Sequence, residues 1–556
     1  MHKTFRLSPL TLALSALALS SASSAFAQQA PDAGRILQDL QLPQQVLPES
    51  LNLQLDVPPA DSAGRDEGPA VALKTVRING ASRIETARLQ ALIAPAIGRS
   101  HTLAGLRGLA DQITRFYREQ GYPFARAYVP AQRMADGELT IEVIEGRYGQ
   151  VNATSQDADL ATEAGRFLGD LRSGDVIAMD ALERSVLVLS DLPGIRVRPV
   201  VRPGQAVGTG DLAVEVERTK AVEGRVSVDN HGNRYSGQHR VLVEGAWNNP
   251  FSFGDRLNAA VMATDEDLFF GNLAYSRALG TSGLRGDVGY AVSDYSLGGE
   301  FSSLQASGTA RVASLGVSYP LVRSNRANLL LTAQAQHKTM VDEYRATGMR
   351  NEKTSNVLPV AVQFDLRDAL LGGGITYGTL GWTHGSVSLK GDVQRLLDRL
   401  TAKTHGSFNK VNLDVTRLQA LPGGWTLSAR VAAQWSGKNL DSSEDFVLGG
   451  ASGVRAYPRG EGAGDEGVLG QVELRYGQGA VVPYAFWDAG QSTLNRRPWA
   501  VGDNHRSLAG GGVGVRAQHG NWSVDGTLAW RHAGGPSQSD SQQRNPRVWV
   551  TGAYRF

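Results

Sequence analysis

From Lys220 to the C-terminus, apolar and polar residues alternate with a period of two in one segment after another. The last segment, Pro546 to Phe556, shows the pattern in full. Val548, Val550, Tyr554 and Phe556 fall on one face, and Arg547, Thr551 and Arg555 on the other. That period belongs to a β-strand with an apolar medium on one side and water on the other. Alternating segments recur near 221–230, 239–249, 255–264, 269–277, 284–294, 308–318, 328–340 and 357–367. They continue near 375–387, 407–418, 424–437, 467–477, 481–490, 508–518, 521–531 and 546–556, about sixteen in all. Val393–Leu400 alone has helical spacing, and it sits in a loop. Connections after even-numbered segments are tight, as at Asn249–Gly254, Leu370–Gly374, Pro422-Gly423 and Gly520. Those after odd-numbered segments are often long: Tyr295–Ser307, Val341–Asn356, Ser388–Gly406, Lys438–Glu466, Gln491–Ser507 and His532–Asn545. A soluble sandwich has no reason to sort its loop lengths by parity. Short turns on one rim and long loops on the other predict an all-β transmembrane barrel of about sixteen antiparallel strands.

Upstream the period changes. Pro31 to Leu42 predicts a short amphipathic helix with Ile36, Leu37 and Leu40 on one face. Pro43 to Pro69, rich in Pro, Gly, Ser and Asp, predicts a linker. A first β-α-α-β-β round follows: strand Ala72 to Ile78, helices Ile84 to Ile93 and Leu103 to Gln120, strands Tyr122 to Val129 and Glu138 to Ile144. Leu106, Leu109, Ile113, Phe116 and Tyr117 lie at helical spacing, and Gly121 stands where a helix C-cap favours glycine. A second round opens at Gly149 to Ala153, with helices near Leu160–Leu168 and Met179–Leu189 and strands Ile195–Val201 and Asp211–Glu217. The domains expected are a signal peptide (1–27), an N-terminal helix (28–42), a linker (43–71), two α+β units (72–147 and 148–219) and a barrel (220–556). Within the barrel, the sixth outer loop is long and runs from 438 to 466.

Composition narrows the class. Lys3 and Arg6, the apolar run Leu7 to Ser20 and the A-x-A site Ala25-Phe26-Ala27 read as a secretory signal. That run is too short to span a membrane. The chain has no cysteine, so it carries no disulfide framework and no thiolate metal site. A net charge of +2 argues against nucleic acid as a partner. Glycine, at 65 residues, exceeds its usual frequency of about 7%. No G-x-S-x-G, H-E-x-x-H or P-loop pattern occurs, and the ten histidines are scattered. Gly510-Gly511-Gly512-Val513-Gly514 lies inside a strand and marks curvature or close approach rather than a nucleotide loop. The chain is not read as an enzyme, and no cofactor or metal is expected.

Parity assigns the lumen. Tyr484, Phe486 and Asp488 share one face of a strand, and Ala485, Trp487 and Ala489 the other. A carboxylate on the lipid side is costly, so Asp488 faces inward. The same reasoning puts Glu473, Arg475, Arg516 and Asp525 inside, with Val472, Leu474 and Tyr476 outside.

Phe486-Trp487-Asp488-Ala489-Gly490 resembles the F-x-D-x-G strand motif of the TpsB transporters, the two-partner secretion (ShlB/FhaC/HecB-like) branch of the outer-membrane insertase superfamily. Val454-Arg455-Ala456-Tyr457 in the long sixth outer loop resembles their V-R-G-Y/F tetrad, with Ala456 where glycine is usual. Asp229-Asn230-His231-Gly232, Asn249-Pro250-Phe251 with Gly254-Asp255, and the closing Phe556 are further marks of the same family. The two α+β units resemble POTRA domains, so the resemblance spans essentially the whole mature chain.

The resemblance implies a pore in the bacterial outer membrane with POTRA domains in the periplasm. It implies that the sixth loop folds back so that Arg455 meets Asp488, and that the N-terminal helix plugs the lumen at rest. The implied partner is a large secreted TpsA-type protein (an adhesin, haemolysin or contact-dependent inhibition toxin), exported unfolded and without nucleotide. Outer-membrane lipid surrounds the barrel, and the barrel assembly machinery reads Phe556 during biogenesis. The protein is expected to be a monomer. A barrel insertase is the alternative; relatives with that role usually carry more POTRA units. A diffusion porin leaves the POTRA-like region unexplained.

Overall fold

The computed structural model describes residues 30–40, 54–55, 69–134 and 136–556. The signal segment and most of the linker lie outside the described residues. The first α+β unit is a three-stranded sheet in which Glu138–Ile144 lies centrally, parallel to Thr75–Asn79 and antiparallel to Arg126–Tyr128. Helices Thr86–Ile93 and Leu103–Glu119 cover it. Thr102 caps the longer helix by accepting from the Gly105 amide at 3.2 Å. Leu106, Leu109, Ile113 and Tyr117 on its inner face join Ile78, Leu139 and Ile141 in one apolar core. The strand expected from Tyr122 shortens to Arg126–Tyr128. The chain leaving the helix first turns back, with Tyr122 N donating to Tyr117 O and Ala125 N to Tyr122 O.

The second unit repeats the plan with helices Ala158–Arg166 and Met179–Ser190 on strands Arg147–Thr154, Ile195–Pro203 and Thr209–Arg218. Its sheet gains a fourth member from the linker, because Gln54–Leu55 pairs in parallel with Val200 and Val201. This unit is bolted to the barrel. Arg323 makes a two-pronged contact with Asp191 at 2.7 and 2.8 Å, and Arg184 reaches the Pro320 carbonyl at 2.9 Å. Asn249 Nδ2 donates to Pro193 O at 2.9 Å. These barrel residues lie on the tight turns, which identifies that rim as periplasmic.

The barrel closes through sixteen antiparallel strands, from Val222–Asp229 to Arg547–Arg555. The seam pairs the first strand with the last, from Arg225 opposite Arg555 to Asp229 opposite Thr551. Apolar residues cover the outside between two aromatic belts. Trp425 and Trp435 are both exposed on the eleventh strand, Trp425–Ser436. Ten residues at about 3.3 Å each, tilted by ~40°, give a height near the ~25 Å of an outer-membrane apolar band.

One expected loop is a strand. The seventh strand continues to Tyr344 and the eighth restarts at Met349, so little of Val341–Asn356 is loop. The hairpin runs on because its inward side chains, among them Asp342 and Lys353, hold a buried segment described below. The first extracellular turn beyond Gly298 is a short 3-10 helix, Gly299–Leu304, which strand periodicity does not signal.

Glu145 is the polar hinge pin of the first unit. It is 4% exposed and accepts from the Ser82 and Arg83 amides at 2.7 Å and from the Tyr117 hydroxyl at 3.0 Å. Burial by itself raises its carboxyl, but these donors outweigh it and hold the group below its ordinary value. A carboxyl lowered by folding contributes stability that is complete above its unfolded value and is lost as pH falls through the folded one. Hydrogen exchange across 71–146 should therefore accelerate as pH drops below about 4. Glu145→Gln should flatten that dependence and cost about 1–3 kcal/mol at neutral pH.

Candidate functional site

The barrel interior is occupied by its own chain. On the thirteenth strand, Val481–Thr493, the side chains of Tyr484, Phe486 and Asp488 are buried inside while Trp487 is exposed on the lipid side. The sixth loop enters from the outer rim and lays Leu448, Val454, Ala456 and Tyr457 into an apolar cluster with Leu469, Tyr484, Phe486 and Leu508. The neighbouring fourteenth strand, His505–His519, is glycine-rich where these side chains arrive. A Cβ at Gly510 would collide with the Ala456 methyl, one at Gly512 with Phe486, and one at Gly514 with Tyr484. Gly490 leaves room for Leu448 in the same way. Gly510 and Gly490 thus leave room for the docked loop, and Gly512 and Gly514 for the wall side chains beside it. Ala456 is not among the residues with positive φ, so this tip has no need of glycine's backbone freedom.

Arg455 is the centre of the dock. Its Nε and Nη2 both meet the Asp488 carboxylate at 2.8 Å, and its Nη1 meets Glu473 at 2.9 Å. The Arg455 backbone N–H also donates to Asp488, at 3.1 Å. The guanidinium lies 3.5 Å from the Phe486 ring centroid, and Trp549 Nε1 donates to the Arg455 carbonyl at 2.7 Å. Asp488 is 0% and Arg455 8% exposed. Glu473 is shared further, with Arg475 and Arg516, each at 2.7 Å, and Arg516 reaches Asp525 at 2.7 Å. A planar guanidinium suits this bidentate, stacked site in a way that an ammonium does not.

The rest of the loop is tied beyond the tetrad. Glu461, fully buried, takes Arg506 at 2.6 Å and the amides of Gln538 and Ser539 at 2.9 and 2.8 Å. Tyr457 OH lies 2.9 Å from the Ala533 carbonyl. Loop six therefore grips the last outer loop as well as the wall.

The N-terminal helix, Ala33–Asp39, fills the other side of the lumen. Ala33, Ile36, Leu37 and Leu40 pack against Leu242, Met262, Phe270, Tyr295 and Met340 of the wall. Its polar edge is pinned by ion pairs: Asp32 with Lys353 at 2.9 Å, Arg35 with Asp445 at 2.9 Å, and Asp39 with Arg459 at 2.8 Å. Ala33 N donates to Asp342 at 2.7 Å. Asp445 and Arg459 belong to loop six, so helix and loop brace each other. Lys338 and Lys410 clamp Glu444 of the same loop at 2.6 and 2.9 Å.

The sequence pairs Arg455 with Asp488 through a family resemblance, and the structure brings the two together. Phe486, Gly490 and the other tetrad members meet in the same cluster. Phe556 stands apart, half-exposed at the periplasmic end of the seam, where it exchanges backbone hydrogen bonds with Gly224. Five participants were missed. Glu473 was legible as a lumen residue by parity but not as a second partner of Arg455. Lys338 carried the same inward-parity signal, whereas Lys353 lies in the stretch 341–356 read as loop. Glu461 and Arg459 carried none, since a loop has no period.

A family model described as haemolysin secretion/activation protein ShlB/FhaC/HecB matches residues 208–517, and one for a ShlB-type POTRA domain matches 71–146. The heme/hemopexin transporter protein HuxB of Haemophilus influenzae is 26% identical over 479 residues, 84% of either chain. The outer membrane transporter CdiB of Escherichia coli is 25% identical over 462 residues, 80% of this chain and 75% of that one. The solved structure of Escherichia coli CdiB superposes with a TM-score of 0.71 at 22% identity, covering 94% of this chain and 95% of that one. CdiB from Acinetobacter baumannii gives 0.64 at 16% identity, with 98% and 97% covered.

The unequal partners of the central pair make a directional prediction. Removing one member of a fully buried pair costs roughly 3–5 kcal/mol. Asp488→Ala leaves Arg455 with Glu473, whereas Arg455→Ala leaves Asp488 with only an amide and Gln471. Arg455→Ala should therefore release the loop more than Asp488→Ala, and Arg455→Lys should fail to restore it. The double variant should cost less than the sum, with a coupling of about 0.5–3 kcal/mol. Protease nicking within 438–466 and crosslinking of cysteines placed at 455 and 488 in this cysteine-free chain measure it. Strict additivity without a crosslink would show the loop free.

Proposed function

The chain belongs to the ShlB/FhaC/HecB family of haemolysin secretion/activation proteins, and on that premise we propose that the filled lumen is the resting, closed state of its protein-conducting pore. As a member of the two-partner secretion transporters, it is an outer-membrane barrel with periplasmic POTRA units that exports a partner protein to the cell surface. The observation that carries the closed-state reading is how the N-terminal helix is held. Its seven residues are anchored by three ion pairs around a small apolar face. Charges released into a wet lumen regain water, so such an anchor opens at far lower cost than a dry core would.

The POTRA units offer the unfolded partner a place to pair. In the first, Thr75–Asn79 and Arg126–Tyr128 are both edge strands, and Leu92, Ile97 and Leu103 are exposed nearby on the helical side. In the second, Arg147–Thr154 is an edge, while the linker strand Gln54–Leu55 already covers the other side. Strand addition supplies affinity through the backbone, which suits a client that arrives extended. The client is a large TpsA-type exoprotein of the adhesin, haemolysin or contact-dependent inhibition class. Its folding outside the cell drives net export, since the chain has no nucleotide motif. The exposed Phe556, stacked with Tyr554, is the handle for the barrel assembly machinery. The protein works as a monomer and is not an enzyme.

Deleting residues 71–146 should abolish secretion while the barrel still inserts and resists heat in gel-shift assays. Normal export by a properly inserted deletion variant would remove the capture role. Deleting residues 31–42 should raise single-channel conductance in planar bilayers without blocking secretion. Once its Gln54–Leu55 pairing is released, the linker of roughly 27 residues has a relaxed span of about 30 Å, close to the ~25 Å apolar height, so the helix can leave the lumen while remaining tethered. Unchanged conductance would place the resistance in loop six alone.

A further inference from the structure

Just above the outer aromatic belt, loops five (390–405), six and seven line an open recess of about 420 Å³. Its position relative to lipid follows from strand parity. On the tenth strand, Gly406–Leu421, Phe408 joins a buried apolar cluster and Lys410 reaches Glu444 in the lumen, so Ser407 and Asn409 between and beside them point outward. Both line the cavity. Gly437, also in its wall, donates its N–H to Asn409 O and lies two residues beyond the exposed Trp435. Two residues correspond to ~7 Å along the strand, the level at which lipid headgroups meet water.

The cavity is cationic. Lys403, Lys438 and Arg497 line it, and no lining residue carries a carboxylate. Nearby carboxylates are engaged elsewhere: Asp398 accepts from the Thr404 amide and hydroxyl at 2.8 Å and from the His405 amide at 3.1 Å, and Asp465 from the Leu440 and Arg496 amides at 2.7 and 2.6 Å. Arg496 is paired with Glu466 at 3.3 Å and is no part of the wall. The cations are held in place. Lys438 Nζ donates to the carbonyls of His405 and Thr404 at 2.9 and 3.2 Å, which leaves one of its three protons for a ligand. Asn439 bridges the loops, donating to Ala402 O and Arg497 O and accepting from Arg497 N. Burial lowers the Lys438 ammonium below its ordinary value, with Asp398 opposing and Arg497 reinforcing that shift. Exposed Trp499 closes one side, in the manner of aromatics at a membrane interface. The loop helix Asp392–Leu400, which runs into Thr401–Lys403, exposes Val393, Leu396, Leu397 and Leu400 along one stripe, as helices lying on lipid do.

We propose that this cavity binds the phosphate monoester of a glycolipid headgroup in the outer leaflet, with Lys403, Lys438 and Arg497 as its ligands and Trp499 against the sugar. A phosphate monoester carries about −1.5 to −2 charges at neutral pH and so complements a recess lined by three cations better than a phosphodiester, which carries one. The inference rests on the outer-membrane placement of the barrel. Held there, the lipid fastens loop six at its outer root, the end opposite to Arg455.

The test uses the full chain, folded and reconstituted separately with bis-phosphorylated lipid A, its dephosphorylated form and phosphatidylethanolamine, with native mass spectrometry reading retained lipid. The wild type should retain the phosphorylated form about tenfold more than the other two, the equivalent of one charge-assisted hydrogen bond. Lys403→Gln with Arg497→Gln, which spares the bracing Lys438, should remove most of that preference while heat-modifiable mobility stays normal. Equal retention of all three lipids, or an unchanged preference in the double variant, would overturn the proposal. So would full displacement by millimolar inorganic phosphate, which would mean a free-anion site. A secretion defect in the double variant with unaltered lipid retention would assign the cations to the emerging client and overturn it as well.

Discussion

A guanidinium carried to the depth of a membrane must find its carboxylates there, and this requirement organises the lumen. Arg455 can be buried only because Asp488 and Glu473 converge on it from adjacent strands and Phe486 offers a ring face. Each carboxylate could stay ionised in that setting only with such a partner. The pair therefore fixes the loop to the wall in one register, and the glycine run opposite allows the loop to approach closely enough for the pair to form. A Cβ at Gly510 would collide with Ala456 next to the fork, so that one glycine sets how closely the loop can lie.

The N-terminal helix obeys different physics. It is short, its apolar face is small, and its ends are held by ion pairs to the wall and to loop six. A helix of this length is not stable alone in water, so its helicity depends on being docked. Leaving the lumen and unwinding are then one event. Loop six, by contrast, is tied at Arg455, at Glu461 and at Tyr457, through side chains that are almost wholly buried. The two occupants share contacts, Arg35 to Asp445 and Asp39 to Arg459, so departure of the helix strips loop six of two counter-charges. An opening that starts at the helix thereby weakens the loop without breaking its central fork.

What the sequence made legible follows from periodicity. Sixteen strands and their facing could be read because lipid and water impose opposite demands on alternate residues, and that demand is felt along most of each strand. The hairpin around Tyr344 and Met349 was misread as loop for the same reason: above the membrane its outward face is polar, and the alternation fades although the ladder continues. Arg455 and Asp488 carried a motif, whereas Glu461 and Arg459 sit in an aperiodic loop whose partners are fixed only by the path of the folded chain. Gly510 to Gly514 could be assigned to close approach, but what approaches was not encoded locally. Ala456 in place of glycine is accommodated because the space was removed on the opposite strand.

The docking of the second POTRA unit sets the direction in which this device can be driven. Arg323 with Asp191 and Asn249 with Pro193 fix that unit to turns of the same wall that, at the other rim, carries the long loops. The linker strand Gln54–Leu55 lies on an outer edge of that unit, between the lumen helix and the first POTRA unit in sequence. A two-residue parallel pairing is weak beside the longer ladders of the same sheet. A client strand extending along that edge would gain more hydrogen bonds than the linker gives up, and would free the linker as it does so. Slack in the linker is what the helix needs in order to leave the pore. Capture of an extended client in the periplasm and release of the lumen can thus be coupled through one short stretch of backbone, with no energy source beyond the binding itself.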